Sequence, residues 1–180
     1  MKYNDIRRPA RAVHIGRVTV GGNAPIAIQS MTNTDPHDVA ATLSQIRALA
    51  AAGCDVVRLT VPDREAAETV RVIKESGVQI PIVADIHFDY RLALQCAEYG
   101  VDKIRINPGN IGGEDRVRAV ADACRARHIP IRIGVNSGSL EKHILEKYGA
   151  PTPEALCASA LYHASLLEKF DFEDIVISIK

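Results

Sequence analysis

After residue 24 the hydrophobic positions follow two alternating rhythms. Short runs with a period of two appear at 25–31 (PIAIQSM), 56–61 (VVRLTV), 81–87 (PIVADIH), 103–108 (KIRINP), 130–136 (PIRIGVN) and 175–180 (IVISIK). Each is short, bounded by turn residues and rich in Ile and Val, which predicts strands. Between them lie stretches with helical spacing at 38–52, 63–76, 90–99, 114–127 and 153–169. Asp38 and Asp63 stand where an N-cap belongs, and Gly53, Gly77 and Gly100 follow the helical text. Thr152-Pro153 is an N-cap followed by a proline suited to the first helical position. Upstream, VHIGRVTVGGNAP alternates and then turns at Gly21-Gly22-Asn23, which predicts a short hairpin before the first main strand.

Strand–helix alternation with short loops predicts parallel strands joined by right-handed crossovers. Two architectures fit: a doubly wound sheet and a (β/α)8 TIM-type barrel. Side-chain parity separates them, because successive strand residues face opposite sides. Val57, Leu59 and Val61 oppose Arg58 and Thr60; Ile82, Ala84 and Ile86 oppose Val83, Asp85 and His87. Ile104 and Ile106 oppose Arg105 and Asn107. Ile131, Ile133 and Val135 oppose Arg132, Gly134 and Asn136. Ile175, Ile177 and Ile179 oppose Val176, Ser178 and Lys180. One face is aliphatic throughout; the other becomes polar towards the C-terminal ends. A doubly wound sheet is covered by helices on both faces and wants both apolar. A barrel has helices outside only and its active site at the C-terminal mouth, so the pattern predicts an α/β barrel. Six strands are fewer than the eight that close one. The sequence therefore reads as an incomplete barrel, the N-terminal part of a longer protein, with residues 1–24 as an N-terminal segment and 25–180 as the barrel portion.

This parity sends Arg58, Arg105, Arg132 and Lys180 into one partly enclosed mouth. Cations gathered there repel one another, and burying any of them without a partner is costly. Asp85 offsets one. A ligand with several negative charges offsets the others, and guanidinium forks match phosphate oxygens. Asn107 and Asn136 add uncharged hydrogen-bonding capacity. They open the Gly-rich segments NPGNIGG and NSGS, whose backbone N–H groups suit an anion, although Gly and Asn also simply make turns. Gln29, Ser30 and Asn33 end the first strand and reach the same mouth. Asp85 and His87 are the candidates for proton handling. His14, His37, His128, His143 and His163 fall in loops or helices and read as surface or satisfied residues.

Composition narrows the partners. The formal net charge is zero at pH 7 and no block of like charge exists. Nucleic acid and membrane surfaces are therefore poor partners. The N-terminus is basic but lacks the apolar run of a signal peptide, and no run is long enough to span a bilayer, so cytoplasm is the expected location. Cys54, Cys96, Cys124 and Cys157 are widely and irregularly spaced with no C-x-x-C pair. They read as free buried thiols, and no metal site is expected in this chain.

Long ordered strings carry a resemblance. APIAIQSMTNT, AGCDVVRLTVP, VADIHFDYRLAL, VDKIRINPGNIG, IPIRIGVNSGSLE, YGAPTPEALCASAL and IVISIK resemble the 4-hydroxy-3-methylbut-2-enyl diphosphate synthase family (IspG, or GcpE) over residues 8–180. The resemblance implies a barrel that holds 2-C-methyl-D-erythritol 2,4-cyclodiphosphate, which the family opens reductively in non-mevalonate (MEP pathway) isoprenoid biosynthesis. It implies that Arg58, Arg105, Arg132 and Lys180 hold the diphosphate, with Asp85, His87, Asn107 and Asn136 around the substrate. It also implies a [4Fe-4S] cluster in a C-terminal domain outside this chain, reduced ferredoxin or flavodoxin as donor, and a homodimer. The four cysteines match none of the family's cluster ligands, so this chain by itself is expected to bind at best and not to turn over. The alternatives are another diphosphate-handling barrel, such as a pteroate-synthase-like transferase, and a non-catalytic anion-binding fragment.

Overall fold

The computed structural model describes residues 8–180; residues 1–7 of the predicted N-terminal segment lie outside the described residues. Six parallel strands form one curled sheet in chain order: β3 (Gln29–Met31), β4 (Val56–Thr60), β5 (Ile82–Asp85), β6 (Lys103–Ile106), β7 (Ile131–Val135) and β8 (Ile175–Ile179). Helices α1 (Val39–Ala51), α2 (Arg64–Glu75), α3 (Tyr90–Glu98), α4 (Glu114–Ala126) and α6 (Pro153–Glu168) connect them. This is six strands' worth of a TIM-type barrel.

The predicted parity holds on β4 to β7; on the edge strand β8, Ile175 packs on the core while Ile177 and Ile179 of the predicted aliphatic face stay exposed. The aliphatic face of Val57, Leu59, Val61, Ile82, Ala84, Ile86, Ile104, Ile106, Ile131 and Ile133 packs in one core against Ile46, Val70, Ile73, Cys96, Val120 and Leu167 of the helices. These residues are buried on the helix side because burying each aliphatic side chain stabilises the fold by roughly 1.5–3 kcal/mol. The predicted caps hold too. Asp38 accepts from Ala41 N at 2.9 Å, Asp63 from Ala66 N at 2.9 Å and Thr152 Oγ1 from Ala155 N at 3.2 Å.

Four local expectations are corrected. The N-terminal hairpin joins β1 (Val13–Ile15) to β2 (Val18–Val20) through Gly16-Arg17; the predicted turn at Gly21–Asn23 forms as well, but after the hairpin and not within it. Gly16 has a φ of +53°, and a Cβ there would fall 2.7 Å from Asp102 Oδ1. The close approach to Asp102 fixes the turn where a glycine is required. Next, β3 spans only Gln29–Met31, because Pro25 removes a backbone donor and Ile28 N–H is taken by the Asp55 carboxylate at 2.7 Å. Thirdly, α5 (Lys142–Tyr148) is a further helix, two turns long, ended by Gly149 at φ +74°; seven residues are too few for a clear helical period. Lastly, of the four thiols only Cys96 and Cys124 are buried, while Cys54 is half-buried and Cys157 exposed.

The hairpin packs across the N-terminal end of the sheet. Ile15, with Val18 and Val20 at its edge, rests on Val56 and Val83, which point inward. The floor of the interior is thus apolar, and polarity begins above it.

Candidate anion-binding site

At the C-terminal ends of the strands lies a cavity of about 310 Å³ lined by Arg58, Asp85, His87, Arg105, Arg132, Asn136 and Lys180, with Met31, Gly134, Val135 and Ser178. Register explains the convergence. Asp85 pairs with Arg105 and Arg105 with Arg132 across neighbouring strands, so three charged side chains stand at one level.

Asp85 is 4% exposed and serves two guanidiniums. Arg105 Nη1 donates to its Oδ1 at 3.0 Å, and Arg58 Nε lies 3.5 Å from its Oδ2. Arg105 Nη2 also donates to the Gly134 carbonyl at 3.2 Å. Arg58 points its Nε and Nη2 at the Met31 sulfur, at 3.3 and 3.0 Å, a weak acceptor for a charged donor. Arg132 Nη2 donates to Ser178 Oγ at 2.6 Å. Its Nη1 is buried with no hydrogen-bond partner. Burial, and then the nearness of Arg58 and Arg105, lower the Arg132 pKa below its ordinary value. An unsatisfied buried donor costs about 1–3 kcal/mol, and more when charged, so Arg132 gains from an acceptor brought to the cavity.

The sequence-predicted residues divide into two groups. Arg58, Asp85, His87, Arg105, Arg132, Asn136 and Lys180 share the cavity. Asn107, Gln29 and Asn33 do not line it. Asn107 is buried, and its side-chain carbonyl accepts from Gly134 N at 3.1 Å, tying β6 to β7. Gln29 Oε1 accepts from the Lys103 ammonium at 3.2 Å. Asn33 exchanges bonds with Gln45 of α1, its N–H donating at 2.9 Å and its Oδ1 accepting at 2.5 Å.

The Gly-rich segments also differ from expectation. Gly109 N–H turns away from the mouth and donates to His163 Nδ1 at 3.1 Å, while His163 Nε2 bonds to Glu141. In the second segment Gly138 N–H caps onto Asn136 Oδ1 at 3.1 Å. Both segments close their own turns, and only Asn136 of them lines the cavity. His163 is a buried, satisfied histidine that pins the first segment to α6.

Parity reasoning passed over four residues: Met31, Gly134, Ser178 and Lys103. Ser178 and Gly134 share the inward face with Lys180 and Arg132, so their parity was visible. Their roles were not, because those depend on which neighbouring strand reaches across.

Among the described residues the donors do not fit an iron–sulfur cluster. Burial pushes the Cys96 and Cys124 thiols up to about 12, and Cys54 donates to the Ile28 and Val56 carbonyls. Among the described residues no three His, Cys, Asp or Glu side chains come together to hold a metal. No helix among them is long and apolar enough to cross a membrane.

A parallel, curled sheet with helices on its outer side and an arginine-lined C-terminal mouth defines an α/β domain of the TIM-barrel class. Its family is narrower: the chain belongs to the GcpE TIM-barrel domain family, whose pattern matches residues 10–180. It is 63% identical over 174 residues to the 4-hydroxy-3-methylbut-2-en-1-yl diphosphate synthase (flavodoxin) of Azotobacter vinelandii, covering 97% of this chain and 47% of that protein. It is 62% identical over 175 residues to the protein of the same name from Pseudomonas aeruginosa, with the same coverage. The chain thus spans about half the length of these curated relatives. Among solved structures it resembles a Yersinia pestis DHPS bound to a pterine-sulfa conjugate, with a TM-score of 0.68 over 93% of this chain and 65% of that one. At 10% identity that likeness concerns the fold alone.

Proposed function

We propose that this chain is the substrate-binding barrel of a 4-hydroxy-3-methylbut-2-en-1-yl diphosphate synthase, and that its mouth holds 2-C-methyl-D-erythritol 2,4-cyclodiphosphate by the diphosphate. The observation that carries the reading is the unpartnered Arg132 Nη1, held beside Arg58 and Arg105 with Asp85 the one carboxylate among the described lining residues. Phosphate oxygens supply the missing acceptors, and bidentate guanidinium contacts fix the ligand's orientation. Arg58, Arg105, Arg132 and Lys180 are the binding groups, with Asn136 at the rim. Asp85 orients two of the arginines, and exposed His87 is the side chain free to hand a proton to a departing oxygen.

The reaction is a two-electron reductive ring opening in which a C–O bond to the diphosphate breaks and water is lost. Opening frees a further phosphate oxygen, so negative charge on the diphosphate grows along the reaction. A cationic mouth binds that growing charge more tightly than the ring, which is the differential binding catalysis requires. Flavodoxin is the donor in the relatives' names, and we assign it here on that basis. We assign an iron–sulfur cluster to the remaining half of the protein, and take the whole enzyme as a homodimer of the cytoplasm, on the strength of the family resemblance. Residues 25–180 are then the barrel portion and 1–24 the segment that leads into it.

Calorimetric titration of the cyclodiphosphate into the protein tests the reading. Binding is expected, weakened at least ~10-fold by Arg105→Ala and by Arg132→Ala. Unchanged affinity in both variants would remove the arginines from the site and the reading with them.

A further inference from the structure

Lys103 opens β6 on the inward-facing positions that it shares with Arg105 and Asn107. It is 4% exposed and sits below the cavity, between the arginines and the apolar hairpin floor. Its ammonium donates to the side-chain Oε1 of Gln29 on β3 at 3.2 Å, and among the described residues it makes no ion pair. The charged groups of the neighbouring strands are mostly of its own sign: Arg58 on β4, Arg105 above it on β6 and Arg132 on β7. On β5 its register partner is apolar Val83, and Asp85 above is already shared by Arg58 and Arg105. A buried ammonium with a single neutral acceptor is an expensive arrangement.

We propose that Lys103 makes anion binding proton-coupled: it is largely neutral in the empty barrel at mildly alkaline pH and becomes charged when a diphosphate settles among the arginines above it. This rests on the diphosphate reading of the cavity. Burial, and then repulsion by Arg132 and Arg58, bring the Lys103 pKa down to about 8 from its ordinary 10.5. A bound polyanion reverses the sign of the field from above. Inside the protein that field is little screened by salt, so the ammonium is restored. Linkage then fixes the sign. A group whose pKa rises on binding takes up a proton, and affinity falls as pH climbs past the unliganded value. Lys103 does not line the cavity, so its action is through charge and not through contact.

The test uses methyl diphosphate, whose terminal phosphoryl ionises near pH ~6 and is silent at alkaline pH. The protein is titrated with it at about pH 8.5 in Tris and in borate, whose ionisation enthalpies differ, so that proton uptake is read from the difference in heat. Roughly half a proton or more is taken up per ligand bound by the wild type, and close to none by Lys103→Met or by Lys103→Arg, which keeps charge but does not titrate in this range. The affinity advantage of wild type over Lys103→Met shrinks as pH rises through 8 and 9. A lysine with only a structural role weakens binding equally at every pH and changes no proton count. If wild type and both variants bind with the same uptake, the Lys103 inference is overturned and the diphosphate reading stands. If the wild type binds no methyl diphosphate even at about pH 7, both are overturned.

Discussion

Arg105 crosses β7 over Gly134. Its Nη2 donates to the Gly134 carbonyl at 3.2 Å, and a Cβ at position 134 would fall 2.7 Å from that nitrogen and closer still to Nε. The missing side chain of Gly134 is therefore the space in which the guanidinium lies on its way to Asp85. The clash partner is the flexible end of a long side chain and not backbone, so Arg105 moves and the strand survives.

Gly134→Ala is accordingly expected to leave folding nearly intact and to displace Arg105 from Asp85. Diphosphate affinity drops by about 1.5–3 kcal/mol, the worth of a hydrogen bond to a charged group. Paired calorimetry and thermal unfolding check this. A variant that loses stability as steeply as it loses affinity contradicts the assignment.

His163 reports on the support behind the mouth. It accepts from Gly109 N–H and bonds Glu141 in a fully buried position. His163→Ala leaves the Gly109 N–H and the half-buried Glu141 carboxylate without this partner and opens a hole at a fully buried position, and is expected to cost roughly 2–4 kcal/mol. Burial also holds the His163 pKa below its usual 6.5, against the pull of Glu141. The unfolded chain then binds a proton that the folded histidine refuses, so this group removes stability as pH falls below about 6.5. Urea unfolding across pH 5–8 should show the loss in the wild type and a flatter profile in His163→Phe.

A second histidine works with the opposite sign. His37, on the loop after β3, places Nε2 3.0 Å from Asp63 Oδ2 and Nδ1 2.9 Å from Asp35 Oδ1. Asp63 also caps α2, so the pair links two of the loops that surround the mouth. Hydrogen bonds to Asp63 and then Asp35 raise the His37 pKa. A raised folded pKa contributes stability that is fully present below pH ~6.5 and is lost as pH rises through the folded value. His37→Gln is expected to lower the melting temperature near pH ~5.5 and to match the wild type near pH ~9. The difference should be modest and shrink with salt, because the pair is exposed. An equal deficit at both pH values would show that the ring matters for packing and not for charge.

The alternation of the strands was legible in the sequence because it is local: side chains two apart share a face wherever the strand sits. That alone told Arg58, Asp85, Arg105, Arg132 and Lys180 from Val57, Ile82, Ile104 and Ile131, and predicted helices on one side only. Asp38, Asp63 and Thr152 were legible as caps for the same reason, since a cap reaches only three residues along its own chain. Height within the barrel and reach across it are not local. Parity made Asn107 and Arg105 equivalents, yet Asn107 bonds Gly134 N–H in the wall while Arg105 reaches the cavity. Lys103 shares their face but lies under the charged layer, at a level set by the register Val83↔Lys103 and by the hairpin below. Gly134 reads in the sequence as a weak point in a strand; Arg105, twenty-nine positions earlier, gives it a purpose. The sequence by itself determined which residues enter the barrel. Strand register and close packing between distant segments decided which of them meet, because hydrogen bonds and charge act over a few ångströms of space, whatever the separation along the chain.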